Sequence, residues 1–538
     1  MSDASEKRGK PESGAPSRAE HSARNAMMGV VSQGITMLLA FFGQWVFLRT
    51  LSVEYLGIAT WFTSILSVLA ISELGIGSAM VVSLYQPLAS GDTLRVQASI
   101  RLLRRAYRYV GLAVLTLGLS LLPFLPRLVS GQTDLVDLRL VYVLYLAQSV
   151  CSYLFCSYKT AIFTADQRQS QVHFWSLISS VFTTAAQMTV LVLWRSYYAY
   201  VGIFTLSVIL KNLLIARSAD RQYPYLKNVA QKHAGDRDGE YLPQAERKNI
   251  FRNLFGLSMY RISGTVLTAT DALVLGKFRD FAVMGMYKNY LLVITAVTTV
   301  LTLLFQSFTA SVGHLNVTAD KARKQFVFRC LNLLDGWLYG FSAVCLFVLL
   351  DPFVGLYFGG EFMFREPLIV PAIVLNFLTS GLLENVIMHK DACGLFWQGR
   401  FRPVFSAGLK IALSIWWVGP FGITGVLMAS VVSRLLTTWW FDPWMVHRYA
   451  LESGLKGYAL QTGGFLLLTT LCCAMAKGMT LWLFPGITWV HFLLRMALCL
   501  ILPNVVFWIA FRNLEEFAYL KEQGLRLWRK MRAKTQTH

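Results

Sequence analysis

The sequence predicts an all-α polytopic membrane protein with about 14 transmembrane helices, arranged as two pseudo-symmetric six-helix lobes plus two C-terminal helices. Three observations predict it. The 538 residues are 55% hydrophobic and only 15% charged, more apolar surface than a water-soluble fold can cover with polar groups. The apolar residues come in runs of about 20, the length that crosses a ~30 Å hydrocarbon core as a helix. The lysines and arginines collect in the tails and in alternate connections, as the positive-inside rule requires.

Taken in order, the spans fall near residues 25–50, 55–83, 107–126, 140–164, 172–194, 198–215, 253–276, 282–309, 331–350, 367–389, 403–418, 420–446, 457–484 and 488–511. The polar head, 1–24, has no small-residue cleavage site and reads as a disordered cytosolic tail before a retained first helix. With that end inside, the Arg95–Arg108 loop, the 216–252 linker, the Lys321–Lys324 loop, the Lys390–Arg402 loop and the 512–538 tail hold 26 basic residues, against about six in the outer loops. Both termini are therefore expected in the cytosol. The net charge of +21 is spent on topology, so a nucleic-acid partner is not expected. The eight cysteines show no metal spacing and no disulfide framework.

A glycine motif recurs where helices re-enter from outside: Leu56-Gly57-Ile58, Val201-Gly202-Ile203, Met284-Gly285-Met286 and Thr424-Gly425-Val426. It begins spans two, six, eight and twelve, so two positions repeat six spans later at an offset of about 225 residues. The domains expected from this are a lobe at 25–215, the linker 216–252, a second lobe at 253–448, an auxiliary pair at 457–511 and the basic tail. Transporters built from repeats handle cargo where the repeats meet.

Charge inside a span is costly, roughly 3 kcal/mol on insertion scales, so it is expected to face a cavity or a partner. Span seven carries Ser258, Arg261, Thr265, Thr268 and Asp271 at spacings of three and four, and span eight carries Thr295, Thr299, Thr302 and Gln306 in the same rhythm, each a polar stripe along one helix. With Lys288, Lys410 and Arg434, these are the expected lumenal substrate-binding residues; Glu73, Asp271 and Glu384 are the expected ion-coupling acids. Lys211 and Lys477 read as snorkelling to an interface, Asp335 as a headgroup-level residue, and Arg495 as packing or function. Arg101, Arg104, Arg105 and Arg108 share one face of a cytosolic amphipathic helix that Asp92 starts, fit for anionic lipid. The tail reads the same way.

No P-loop, nucleophile elbow or zinc-protease motif is present, and the longest outer connection is about fifteen residues. No enzyme, metal or catalytic residue is expected.

The segments "YLGIATWFTSILSVLAISELGIGSAMVVSLYQPLASGD" (Tyr55 to Asp92), "YRISGTVLTATDALVLGKF" (Tyr260 to Phe278), "MGMYKNYLLV" (Met284 to Val293) and "SVGHL" (Ser311 to Leu315) resemble bacterial polysaccharide transporters. These are O-antigen-type flippases of the multidrug/oligosaccharidyl-lipid/polysaccharide exporter superfamily. The resemblance implies two lobes around a V-shaped lumen in the bacterial cytoplasmic membrane. It implies a flippase that moves undecaprenyl-pyrophosphate-linked oligosaccharide to the outer leaflet by alternating access, for surface-polysaccharide biosynthesis. It further implies no cofactor beyond proton or sodium coupling, a monomer, and a polymerase and glycosyltransferases as partners besides membrane lipids. Glu73, Arg261 and Asp271 fall where such proteins carry polar residues, whereas Ala272 and His314 replace the family's asparagines. The alternatives are a drug antiporter or a peptidoglycan-precursor flippase of the same superfamily.

Overall fold

The computed structural model describes residues 18–70, 76–128, 135–228 and 244–535. The helices are α1 Arg18–Thr50, α2 Val53–Leu69, α3 Ile76–Ala89, α4 Thr93–Leu121, α5 Leu125–Leu128, α6 Leu138–Leu154, α7 Thr160–Ala165, α8 Gln169–Trp194 and α9 Tyr197–Gln222. They continue as α10 Gln244–Phe278, α11 Phe281–Gln306, α12 Thr309–Thr318, α13 Lys321–Tyr357, α14 Ile369–Gly381, α15 Glu384–Ala392 and α16 Arg402–Val446, and end with α17 Lys456–Leu483, α18 Trp489–Phe511 and α19 Glu515–Thr535. No strand occurs among the described residues. The fold is that of an all-α polytopic membrane protein.

By length and apolarity alone, 10 described helices can cross a membrane, or 11 if the bent pair Leu138–Leu154 and Ser157–Ala165 is one span. Three local features separate that number from the expected 14. Span 55–83 is described only in part: α2 has 17 residues, and residues 71–75, Glu73 among them, lie outside the described set. Span 253–276 is helical but carries Arg261 and Asp271 and falls short of the apolarity threshold. Spans 403–418 and 420–446 run together as α16, which folds back on itself. Pro420 removes a backbone donor, and Gly422 adopts φ 57°, ψ −137°, a conformation open to glycine. The reversal lays the two arms side by side. The Ser433 hydroxyl donates to the Ser406 carbonyl at 2.7 Å, and Thr437 donates to the Ser406 hydroxyl at 3.0 Å. Arg279 clamps the turn by donating to the carbonyls of Val418 (3.1 Å) and Gly419 (3.0 Å).

The chain forms two compact units, each discontinuous in sequence. The first comprises 1–43, 76–116 and 146–241. Its core gathers Leu84, Val96, Ile100, Leu103, Ile162, Phe163, Ala219 and Leu226, all nearly or wholly buried. On its charged edge Lys159 pairs with Asp220 at 2.6 Å. Burial and the Asp166 carboxylate that it touches push the Tyr223 phenol well above its ordinary range. Asp92 caps α4, its carboxylate accepting the Arg95 N–H at 3.0 Å, as the sequence suggests. Of the arginine face, Arg101 is buried and the Arg104 guanidinium lies 5.8 Å from the centre of the Tyr158 ring, while Arg105 and Arg108 are exposed.

The second unit comprises 44–75, 117–145 and 242–538. The repeated glycines have a purpose here. A Cβ on Gly57 would run into the carbonyl of Phe281, and one on Gly285 into the carbonyl of Val53. Phe281 stands four residues before Gly285 and Val53 four before Gly57, so the close crossing of α2 and α11 is reciprocal, as a pseudo-two-fold relation demands. The auxiliary helices α17 and α18 pack on α13 through Val344, Val348, Cys472, Ala476, Cys499 and Phe507. Arg495 is a packing residue, donating to the Phe484 carbonyl at 3.1 Å. Asp335 is buried within the protein; its carboxylate accepts the Asn385 N–H at 3.4 Å. The start of α19 docks on α13, with Glu516 on Arg329 at 2.7 Å and Phe517 stacked on Trp337, so lipid is not its sole contact.

Candidate functional site

Helix α10 of the second unit carries Asp271 near its C-terminal end. Thr268 precedes it by one turn, and both line a cavity of about 170 Å³ with Asn376 of α14 and Ser406, Lys410, Ser430, Ser433, Arg434 and Thr438 of α16. The hairpin in α16 makes this possible. One arm presents Lys410 and the other Arg434, and antiparallel packing brings residues 24 apart in sequence to one space. Lys410 is buried; its ammonium lies 2.8 Å from Asp271 and also donates to the Leu267 carbonyl. A lysine in this position supplies the counter-charge that a buried carboxylate requires.

Arg434 is held differently. Its guanidinium donates to the Asn376 carbonyl at 3.1 Å, the Asn376 side-chain oxygen at 3.0 Å and the Thr379 hydroxyl at 2.8 Å. All three acceptors are neutral. With Asp271 spent on Lys410, the cavity keeps one positive charge. Arg434 and Asn376 also wall a second cavity of about 160 Å³, with Tyr287, Thr298, Tyr339, Ser380 and Glu384. Arg434 thus stands between two polar spaces, one lined by the Asp271–Lys410 pair and the other by Glu384.

Of the residues expected from the sequence, the structure brings together Thr268, Asp271, Lys410 and Arg434, and sets Glu384 in the adjoining cavity. Thr302 stands beside Glu384 and Tyr339. Arg261, Thr265, Lys288, Thr295, Thr299, Thr302 and Gln306 line neither cavity. Arg261 is exposed and Lys288 half-buried, and neither makes a hydrogen bond or ion pair among the described residues. The Thr299 hydroxyl donates back to the Thr295 carbonyl at 2.7 Å, and Thr268 to Gly264 at 3.1 Å; such i−4 bonds let a threonine satisfy itself within its own helix. Glu73 lies outside the described residues.

Sequence reasoning missed Asn376, Thr379, Ser406, Ser430 and Ser433. The spacing Ser430, Ser433, Thr437 was the available signal, a polar stripe as regular as that of span seven. It also missed a buried ion cluster next to the site. Asp442, 1% exposed, takes Arg402 at 2.8 Å and Lys390 at 3.4 Å, and the Tyr260 ring covers Lys390 at 4.3 Å. Lys390 and Arg402 read from sequence as cytosolic topology signals; here they also join α15 to both arms of α16.

No protein-family model and no curated protein matches this chain. Solved structures do. A lipid II flippase, MurJ, in an inward closed conformation aligns over 90% of this chain and 99% of its own, at a TM-score of 0.63 and 15% identity. A MATE transporter of Vibrio cholerae aligns over 81% of this chain and 98% of its own, at 0.55 and 11%. A transporter of the MOP superfamily from Pyrococcus furiosus, described as having a binding pocket of reverse polarity, aligns over 81% and 97% at 0.51 and 10%. The likeness is one of fold, carried over nearly the whole length of each.

Proposed function

We propose that this protein is a membrane transporter of the flippase kind, moving a lipid-linked oligosaccharide with an anionic head from the inner to the outer leaflet of a bacterial cytoplasmic membrane. The observation that carries the proposal is the charge balance of the α10/α16 cavity. Asp271 is neutralised by Lys410, while Arg434 meets only neutral acceptors, and so offers a guanidinium that a pyrophosphate can engage through bidentate, charge-assisted bonds. The serines, threonines and asparagine around it suit sugar hydroxyls. The lipid tail can remain in the bilayer while the head crosses.

A cationic drug would favour an acid without an internal cation; in this cavity Asp271 has one, and the acid outside any ion pair, Glu384, shares the adjoining cavity with Arg434. A peptidoglycan precursor, the cargo named for the lipid II flippase that this chain resembles, is a second lipid-linked anionic head compatible with the cavity. Alternating access in this reading rocks packed helices, with the glycine crossing of α2 and α11 as one contact that must change. Because Lys410 already fills the cation position beside Asp271, sodium coupling through Asp271 is not part of the proposal.

The test is reconstitution of the full chain into liposomes that hold a fluorescent polyprenyl-pyrophosphate oligosaccharide, with dithionite quenching of outer-leaflet label. Faster protection loss than in protein-free liposomes supports the reading. A rate equal to that of protein-free liposomes, or cationic dye export in place of lipid flipping, would contradict it.

A further inference from the structure

The first unit contains a cavity of about 220 Å³ between α1, α8 and α9, lined by six serines and threonines, Gln187 and Lys211 together with the apolar Leu39, Ala40, Phe204 and Val208. No carboxylate lines it. We propose that this cavity is a second binding site, for a single anionic hexose, with Lys211 taking its carboxylate or phosphate and the hydroxyls of α1 and α8 taking the ring.

The repeat carries the argument. Lys211 stands nine residues after Gly202, and Arg434 nine after Gly425, the two glycines that open spans six and twelve. Lys211 is therefore the counterpart of Arg434. The remaining charges of the second-unit cavity have no counterpart. Lys410 lies fifteen residues before Gly425, and fifteen before Gly202 is the neutral Gln187; Asp271 lies fourteen before Gly285, and fourteen before Gly57 is Gly43. The first-unit cavity thus keeps the cation of its mate and loses the internal ion pair.

Its polar groups are only partly spent: Ser179 donates to the Ser207 carbonyl at 3.4 Å. Thr183 donates to the Ser179 carbonyl at 2.6 Å, Ser207 to the Phe204 carbonyl at 2.7 Å, and the Gln187 amide to the Tyr200 carbonyl at 3.2 Å. The hydroxyls of Thr36, Ser180 and Thr184 and the ammonium of Lys211 make no hydrogen bond or ion pair among the described residues. Lys211 lies four residues, about 6 Å along the axis, inside the end of the span 198–215, and it lines the cavity. A half-buried ammonium with no counter-ion calls for an anion. The size suits one ring, since a cavity of about 150 Å³ already admits benzene.

The purified full-length protein in detergent is titrated with glucuronate, glucose 6-phosphate and glucose at matched ionic strength, with thermal stability as the readout. Either anionic hexose is expected to raise the melting temperature, glucose to have at least tenfold weaker apparent affinity, and whichever anion binds tighter identifies the group recognised. Lys211→Met is expected to weaken the anion at least tenfold, and Lys211→Arg to retain it. If Lys211→Met does not fold, the Ser180→Ala/Thr184→Val double variant is expected to lower affinity for the anionic hexoses. Equal binding of glucose, unchanged binding in Lys211→Met, loss of binding in Arg434→Met instead, or no change in the double variant overturns the proposal. No transport is measured, so failure here leaves the flippase reading standing.

Discussion

Replacing Lys410 by methionine removes one half of a buried ion pair and leaves Asp271 without its counter-charge. At the observed 2.8 Å, the Coulomb attraction is about 6 kcal/mol at an effective dielectric of ~20. The side chains are 5% and 16% exposed, so desolvation offsets much of that attraction, and the net cost of breaking the pair is about 3–5 kcal/mol. Methionine keeps the length and loses the charge, so packing changes little. Asp271→Asn leaves Lys410 stranded at a similar cost, tempered by its bond to the Leu267 carbonyl. The double variant removes both charges and should return to within about 1 kcal/mol of the native protein. The assay is thermal unfolding of the four proteins in detergent, read as a double-mutant cycle. Sodium is expected to leave the native melting temperature unchanged and to raise that of Lys410→Met, where the cation position is vacated. Additive losses in the double variant would refute the coupling, and sodium stabilisation of the native chain would refute the internal-cation argument.

Two further outcomes follow from the packing. Gly57→Ala and Gly285→Ala each place a Cβ 2.8–2.9 Å from a carbonyl carbon of the facing helix, and since backbone cannot rotate away, each should cost about 1–3 kcal/mol; disulfide trapping between cysteines placed on α2 and α11 would report the wider crossing. Asp442→Asn leaves Lys390 and Arg402 buried without a carboxylate, at a cost of about 3–5 kcal/mol, and Lys390→Met in the same chain should restore a large part of it, as measured by the yield and melting temperature of the purified protein.

The helical class was legible because it rests on run length, which is local; the residues that turn α16 back on itself, Pro420 and Gly422, stand where the sequence already separates the runs 403–418 and 420–446. Asp271 and Thr268 were legible from their spacing on α10. What the spacing did not carry was partnership. Lys410 lies 139 residues beyond Asp271, and Arg434 reaches Asn376 and Thr379; only tertiary packing decides which cation is spent and which is left over. The α11 threonines divide: Thr299 closes its bond on its own helix, while Thr302 stands beside Glu384 and Tyr339, and spacing alone does not say which threonine does which. Gly57 and Gly285 were read as a repeat mark, and their mutual close approach became visible only with both helices in place.

The central claim is that an anionic head crosses under the charge of Arg434. It is tested most directly by initial flipping rates in liposomes for a polyprenyl-pyrophosphate sugar and for the same sugar on an uncharged polyprenyl ether, with the native chain, Arg434→Lys and Arg434→Gln. The account predicts that the native protein prefers the pyrophosphate lipid at least tenfold, that Arg434→Lys keeps part of the preference, and that Arg434→Gln loses it while remaining folded. Native-like preference in Arg434→Gln would contradict it.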